Sequence, residues 1–290
     1  MFDTLPIEII LDCIIPFLSD WNRLNLISIT SCMRSRYVNI IYFDNWESIT
    51  QENHNEWYFH SLRKVITREL YFPRNAVNIA FYDDFNYDIK GIIPSSVTSL
   101  IFGWNFDRDV RGVFPSGLTH LMFGGCFDQV IDGVLPSGLT HLTFGRNFDQ
   151  DIQMMLPDSL IHLTFGYCFN RPIKGILPPK LTRLTLGILF NQDLKGLLPE
   201  GLTHLEFQDL QFAGSIFNRS LDGALPSSLT HLTLGWNFKQ PIKDTLPPKL
   251  THLTLGLWWS TQSLKGVIPP SVVQLIIGEK IVDPIEYTKD

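Results

Sequence analysis

The sequence is poor in charge and in cysteine, and each shortage excludes a class of protein. Charged residues make up 18% of the 290 residues, the net charge is −6, and no basic run exceeds two residues. Nucleic acid and anionic membranes are therefore not expected as partners, because both attract clustered lysine and arginine. The cysteines are too few and too scattered for a disulfide framework; they are Cys13, Cys32, Cys126 and Cys168.

The sequence also lacks an uncharged apolar run long enough to cross a membrane, which takes about 18 residues. Its opening, MFDTLPIEII, carries an acid where a signal peptide needs a basic region. Hydrophobic residues nevertheless make up 44% of the chain and aromatic residues 12%, which argues against general disorder. We therefore expect a folded intracellular protein, in the cytoplasm, or in the host cytoplasm if the gene is viral.

A proline recurs every 21 residues through most of the chain, and this period is the main signal in the sequence. With each proline numbered zero, apolar residues fall at positions +3, +6, +8, +12 and +20. About ten units of 21–22 residues therefore fill residues 72–290, with a six-residue insertion near 208–216. The repeating prolines are Pro73, Pro94, Pro115, Pro136, Pro157, Pro178, Pro199, Pro226, Pro247 and Pro269.

Positions +3 to +8 of each unit predict a short strand, because the pattern L-x-x-L-x-F alternates between an apolar and a polar side. The rest of the unit is too short for a full helix and is rich in proline and glycine, which favours an extended return path. A single unit cannot bury its own apolar edge. Neighbouring units must therefore stack, with their strands side by side in a curved parallel sheet.

The repeat resembles two related families. The segment L-x-x-L-x-F-G-x-N/C is similar to the leucine-rich repeat. The longer pattern, seen in LPSGLTHLTFGRNFDQDI at 135–152, resembles the FNIP repeat, whose name-giving segment matches residues 169–173, FNRPI. The resemblance implies a leucine-rich-repeat-like solenoid. It also implies a turn-bonding column at +11, formed by Asn105, Cys126, Asn147, Cys168 and Asn237.

Residues 1–45 precede the repeats and show the spacing of two amphipathic helices. The segment DTLPIEIILDCIIPFLSDW and the basic stretch after it resemble an F-box. Residues 46–71 are expected to form a helical linker that covers the first edge of the solenoid. The expected fold class is therefore α+β, a small helical F-box-like domain followed by the solenoid. The alternative is that residues 1–45 serve only as a helical cap.

Six histidines share position +5 and should point outward from the sheet, beside a threonine row at +7. We expect stacked imidazoles with lowered pKa values, because neighbouring rings resist joint protonation. A metal-dependent hydrolase on this row is the rival hypothesis, but one group repeated along a line does not converge on a metal. No catalytic, cofactor-binding or metal-binding residue is therefore predicted. The histidines are His120, His141, His162, His204, His231 and His252.

Two further columns of the repeat are candidates for exposed positions. Position +10 varies between units and holds large or basic residues, a composition typical of protein interfaces. It is either a partner-binding surface or a drifting loop position, and the insertion at 208–220 is either a partner contact or a tolerated loop. The +10 candidates are Trp104, Arg146, Tyr167, Ile188, Trp236 and Leu257. The aspartates at +13 and +15 are expected on a solvated turn; they are Asp107, Asp109, Asp128, Asp149 and Asp151.

The combined F-box and FNIP resemblance implies a non-enzymatic substrate receptor of an SCF-type cullin–RING ubiquitin ligase. In that role the repeats would hold a target protein of unknown identity near the ligase, which raises its effective concentration. The alternative function is a protein-interaction scaffold that recruits no ligase. The face expected to dock a Skp-type adaptor contains Leu5, Pro6, Ile9, Ile14, Leu18 and Leu24.

Overall fold

The computed structural model describes residues 40–41, 64–67, 72, 76–154, 156–208, 214–278 and 280–288. In this part of the chain a single sheet of 13 strands runs in sequence order. Neighbouring strands pair in parallel, except the last two, which are antiparallel. The strands are β1 (Ile40–Ile41), β2 (Lys64–Thr67), β3 (Asn78–Phe81), β4 (Ser99–Ile101), β5 (His120–Met122), β6 (His141–Thr143), β7 (His162–Thr164), β8 (Arg183–Leu186), β9 (His204–Phe207), β10 (His231–Thr233), β11 (His252–Leu255), β12 (Gln274–Ile277) and β13 (Lys280–Val282).

The expected α+β class is wrong, because the described residues form a parallel β-solenoid. Helix is limited there to a 3-10 helix, Leu257–Thr261, and to α1, Ile285–Thr288. Strand β2 lies where a helical linker was expected, and it pairs in parallel with β3. Its sequence KVIT is rich in β-branched residues, which favour a strand once a neighbouring edge is available for pairing.

The F-box-like segment over residues 1–45 lies outside the described residues, apart from the two residues of β1. The same holds for the residues expected to bind a Skp-type adaptor. The division of the chain at residues 45 and 71 therefore stays a prediction. The sheet itself begins before residue 72, since β1 pairs with β2 in parallel.

Most units have a glycine at +9, just past the strand, because the backbones of neighbouring units nearly touch there; Tyr82 and Gln208 are the exceptions. A Cβ atom added to Gly145 would lie 1.7 Å from the carbonyl oxygen of Gly124. No side chain can be accommodated at that distance. The glycine of the repeated FG dipeptide therefore sets how closely the units stack.

Two columns of mostly aromatic side chains form the core. Position +8 is the last apolar residue of the strand, and +12 follows the glycine turn. Within one unit the two rings stack closely, with centroids 3.9 Å apart for Phe144 and Phe148 and 3.8 Å apart for Phe165 and Phe169. All four side chains are at most 2% exposed. Stacked aromatic pairs of this kind add to the gain from burying their area.

The spacing between units widens from the outer face of the sheet to the back of the solenoid. Contacting histidine rings on the outer face lie 4.0–4.3 Å apart. The +8 rings of successive units lie 5.5–5.8 Å apart, and the +12 rings 6.0–6.5 Å apart. Stacked units whose spacing widens in one direction must bend, so the histidine side of the sheet is concave.

The helical segments of the described residues are short. None of them is long and apolar enough to span a lipid bilayer.

Candidate interaction face and rim

Position +5 forms a continuous row on the concave side of the sheet, which we call the histidine face together with the +7 row beside it. The strand register places each +5 residue next to its equivalent in the adjacent strand. Arg183 divides the six histidines into two sets of three. In order along the sheet the row reads Asn78, Ser99, His120, His141, His162, Arg183, His204, His231, His252 and Gln274.

The predicted histidine stack is confirmed in both sets. His204 and His231 have ring centroids 4.0 Å apart at 12°, and His231 and His252 are 4.1 Å apart at 9°. In the first set His120 and His141 are 4.2 Å apart at 11°. Flat rings on adjacent strands therefore cover one another's faces and leave their edges toward solvent.

A threonine at +4 orients most of these rings. The Thr140 hydroxyl donates to the carbonyl oxygen of Thr119 at 3.0 Å, and its oxygen lies 2.8 Å from Nδ1 of His141. A hydroxyl has one proton, so the Thr140 oxygen must accept from an Nδ1–H group. This hydrogen-bond network assigns the tautomer in which Nε2 carries the lone pair. The same contact between Thr Oγ1 and His Nδ1 occurs in Thr119–His120, Thr203–His204, Thr230–His231 and Thr251–His252.

His162 is the exception, and its sequence neighbour explains why. Ile161 replaces the threonine at +4, so no hydroxyl is available to Nδ1 of His162. The ring turns to 77° from that of His141 at a centroid distance of 4.3 Å. The threonine is therefore what holds an imidazole flat in the row.

Apart from its histidines, the face carries only two ionisable side chains among the described residues, Arg183 and Glu206. Burial, followed by the charges of neighbouring histidines, lowers the pKa of His141 to about 4. Burial, followed by the charges of His231 and Arg183, does the same for His204. Burial also lowers the pKa values of His120, His162 and His231. The direction of the expected shift is confirmed, but its larger cause is burial and not repulsion between imidazoles.

Position +10 follows the strand and forms the edge of this face, which we call the exit rim. Trp104 and Trp236 are 37% and 40% exposed, and Leu257 is 54% exposed. The guanidinium of Arg146 lies 4.7 Å from the ring centroid of Tyr167, a cation–π contact. The candidate rim residues thus form an aromatic and basic strip beside the histidine face.

Ile188 does not join this strip, because it is only 2% exposed. The chain returns from the insertion at this point, and the Ile216 amide donates to the Ile188 carbonyl at 2.8 Å. Ile216 is itself 41% exposed on that returning segment. Sequence reasoning missed Ile216, since the six-residue insertion hides its place in the period.

The +13 residues do not simply lie on a solvated turn, as was expected of the aspartates. Oδ1 of Asp107 accepts from the Asp128 amide at 3.1 Å, and Oδ1 of Asp128 accepts from the Asp149 amide at 2.9 Å. These hydrogen bonds form a ladder at +13, two positions after the turn-bonding column at +11 that the leucine-rich-repeat resemblance implied. Asparagine and aspartate alone supply its acceptors, and that restriction was visible in the sequence. The acceptors are Asn86, Asp107, Asp128, Asp149, Asn170, Asn191 and Asn218.

Neither the face nor the rim brings together the groups that metal chemistry requires. Within the described ranges no three histidine, cysteine, aspartate or glutamate side chains are placed to hold a metal ion. The histidines instead run along a line, one on each strand.

The chain is similar to proteins of known structure. The chain is 39% identical to a crystal structure described as CroV588, a novel circular LRR protein, with a TM-score of 0.62 over 71% of this chain and 31% of the other. It thus spans about a third of that protein's length. YopM from Yersinia enterocolitica WA-314 is 20% identical, with a TM-score of 0.40 over 74% of this chain and 48% of the other. No curated protein matches the sequence.

The family model named FNIP Repeat matches four consecutive double units, which together make up more than half of the chain. They are residues 85–126, 127–168, 169–209 and 217–257. The boundaries follow the +12 phenylalanine column, which lies at the start of each match. The chain therefore belongs to the FNIP repeat family.

Proposed function

We propose that this protein is a non-catalytic scaffold that holds a protein partner on its histidine face and exit rim. The exit rim carries the proposal: Trp104, Trp236 and Leu257 are exposed along one edge of a stiff solenoid. Aromatic and arginine side chains dominate the binding energy of protein interfaces. A rigid backbone presents them without the entropy cost of ordering a loop.

The concave shape supports the same function. A partner that enters the curve meets the histidine face in its middle and the aromatic rim along one side. The +7 threonines on this face, such as Thr143 and Thr164, alternate with the histidines and add hydroxyl groups that both donate and accept.

Proximity labelling in cells that express the protein tests the scaffold. Proteins labelled by the wild type should be lost from a Tyr167→Ser/Trp236→Ser variant. They should be retained by Tyr87→Ser, which removes an aromatic residue of 59% exposure away from the rim. An unchanged set of labelled proteins in the rim variant, with normal thermal stability, would overturn the proposal.

Recruitment of a ubiquitin ligase is the more specific form of this proposal, and the F-box-like sequence before the repeats is what favours it. In that form residues 1–45 dock a Skp-type adaptor and the solenoid holds the target. Co-purification of the full chain with a Skp adaptor is the test, with Leu5→Asp as the variant that should lose the adaptor. If the folded wild-type chain binds no adaptor, the ligase proposal fails and only the scaffold proposal remains.

A further inference from the structure

The stacked histidines have one unused hydrogen-bonding position each. Their faces are covered by neighbouring rings, and the Nδ1 atoms of His204, His231 and His252 are bonded to the preceding threonines. None of the described residues donates a hydrogen bond to their Nε2 atoms. The row therefore presents a line of nitrogen lone pairs to the concave side.

The spacing of this row suits one type of donor. A primary ammonium group carries three N–H donors in a tetrahedral arrangement and no acceptor. Hydrogen bonds of about 2.9 Å from two of those donors reach acceptors roughly 4–5 Å apart. The rings of His231 and His252 have their centroids 4.1 Å apart, so adjacent Nε2 atoms can share one ammonium.

The charges on the face favour the second set of histidines over the first. Glu206 follows His204 by two residues, so it lies on the same side of strand β9 and supplies a negative charge. The first set contains the turned ring of His162, and its +7 positions are Met122, Thr143 and Thr164. Arg183 separates the two sets and disfavours a cation beside His204. The pair His231–His252 lies farther from Arg183.

We propose that His231 and His252 form a binding site for primary ammonium groups, which are the lysine side chains of the protein held in the concave face. The inference rests on the proposed scaffold function and names the chemistry of its partner. Carboxylate-rich surfaces should not bind to the same row, because a carboxylate oxygen and an unprotonated Nε2 are both acceptors and have no proton to share.

Two peptides of equal charge separate the effect of hydrogen bonding from the general attraction of any cationic peptide to a protein of net charge −6. One is a ten-residue lysine peptide, and the other is the same peptide with every Nζ trimethylated, which keeps the charge and removes the donors. At pH 7.5 the wild-type chain should bind the lysine peptide at least about tenfold more tightly, since a charge-assisted hydrogen bond contributes about 1.5–3 kcal/mol. Only the lysine peptide should shift the Nε2 nitrogen resonances in NMR spectra.

Three variants connect this preference to the site. His231→Leu/His252→Leu removes two Nε2 acceptors and no lysine, arginine or carboxylate, and it should lose the preference for the lysine peptide. Thr230→Ile/Thr251→Ile keeps the imidazoles but removes the hydroxyls that fix their tautomer. This variant should also lose the preference for the lysine peptide. Isoleucine is tolerated at that position, since Ile161 occupies it naturally. His120→Leu/His141→Leu in the first set should retain the preference.

Equal affinity for the two peptides overturns the ammonium site, as does an unchanged preference in either variant of the second set. Circular dichroism of each variant establishes that it is folded. If the peptides are bound equally while the rim variants lose their labelled partner, the ammonium site fails and the scaffold remains. If the rim variants keep that partner, the scaffold proposal itself fails.

Discussion

Single residues in the turn before each proline have a restricted backbone. Position +18 has a left-handed conformation and is glycine in most units, as at Gly175 with φ +76°. Asp244 occupies the same place with φ 62°, and it is the one non-glycine residue with positive φ among those described. A side chain at such φ values is strained, although aspartate tolerates them better than most residues.

We expect Asp244→Gly to stabilise the protein by about 0.5–1 kcal/mol, because relief of the left-handed strain exceeds the added freedom of the unfolded chain. The matched control is Gly175→Ala. No atom lies within 4 Å of a Cβ added there, so its expected cost of about 1 kcal/mol comes from the backbone alone. Urea denaturation measures both changes. A loss of stability in Asp244→Gly would show that its carboxylate contributes more than its strain costs.

Among the elements, the two core columns differ in how strictly they require an aromatic ring. Position +8 is leucine in some units, as at Leu186 and Leu234. Position +12 is phenylalanine or tryptophan in the units from Pro73 to Pro247, and Trp259 ends the column with its indole nitrogen bonded to the Phe238 carbonyl at 3.0 Å. The +12 column lies on the convex side, where the 6.0–6.5 Å spacing leaves more volume to fill.

Phe148→Leu should therefore destabilise the protein more than Phe144→Leu. We expect a loss of about 2–3 kcal/mol for Phe148→Leu, because its ring pairs with Phe127 and Phe169 at 6.2 and 6.1 Å and leucine leaves a cavity. The expected loss for Phe144→Leu is about 1 kcal/mol. Chemical denaturation of the two variants measures the difference. Equal losses would contradict the different volumes of the two columns.

The histidine row offers a second test at the scale of the element. Ile161→Thr supplies the missing hydroxyl before His162, so its ring should turn from 77° into the flat stack with His141. Its Nδ1 should then carry the proton, as in the neighbouring units. Nitrogen NMR of the imidazoles reports the tautomer, and a crystal structure reports the ring angle. A ring that stays turned would show that Arg183, and not the threonine, sets its orientation.

For the whole molecule, the lowered histidine pKa values couple folding to pH. Well above pH 6.5 His141 and His204 are neutral in both states, and their contribution to the free energy of unfolding is constant. As the pH falls from 6.5 toward about 4, the unfolded chain binds protons that the folded His141 and His204 do not, so stability decreases. Below about pH 4 the folded His141 and His204 also protonate, and this contribution levels off.

Thermal unfolding between pH 4 and 8 should show this decline. The melting temperature should fall by several degrees, since 1 kcal/mol corresponds to about 2–4 °C at 150–250 residues. A His141→Gln/His204→Gln variant should show a flatter profile. The Asp109 carboxyl contributes little to this decline, because its stabilising effect is lost mainly between its unfolded pKa of 3.8 and its folded pKa of about 2, below most of this range. A melting temperature that is constant or rises down to pH 4 would contradict the burial of the histidine row.

The curved parallel sheet of the solenoid was expected from the sequence, but a strand in the segment before residue 72 was not. Stacking of 21-residue units predicted a curved parallel sheet, and sheet order and register agree with that. Helix was expected over 46–71 from local pattern, yet Lys64–Thr67 is a strand. Pairing with β3 decides its conformation, and an exposed neighbouring edge is not visible in a local window of sequence.

The placement of the candidate site residues was also partly predictable from the sequence. The histidine row and the exit rim follow from the period, because equivalent positions in stacked units must lie side by side. The sequence alone thus determined the repeat, the strand register, the outward histidines and the inward phenylalanines. Only the tertiary structure decided that Ile188 is buried, that threonine hydroxyls orient the imidazoles and that +13 forms a backbone ladder. Those features depend on atoms 21 or more residues apart that meet only after the units stack.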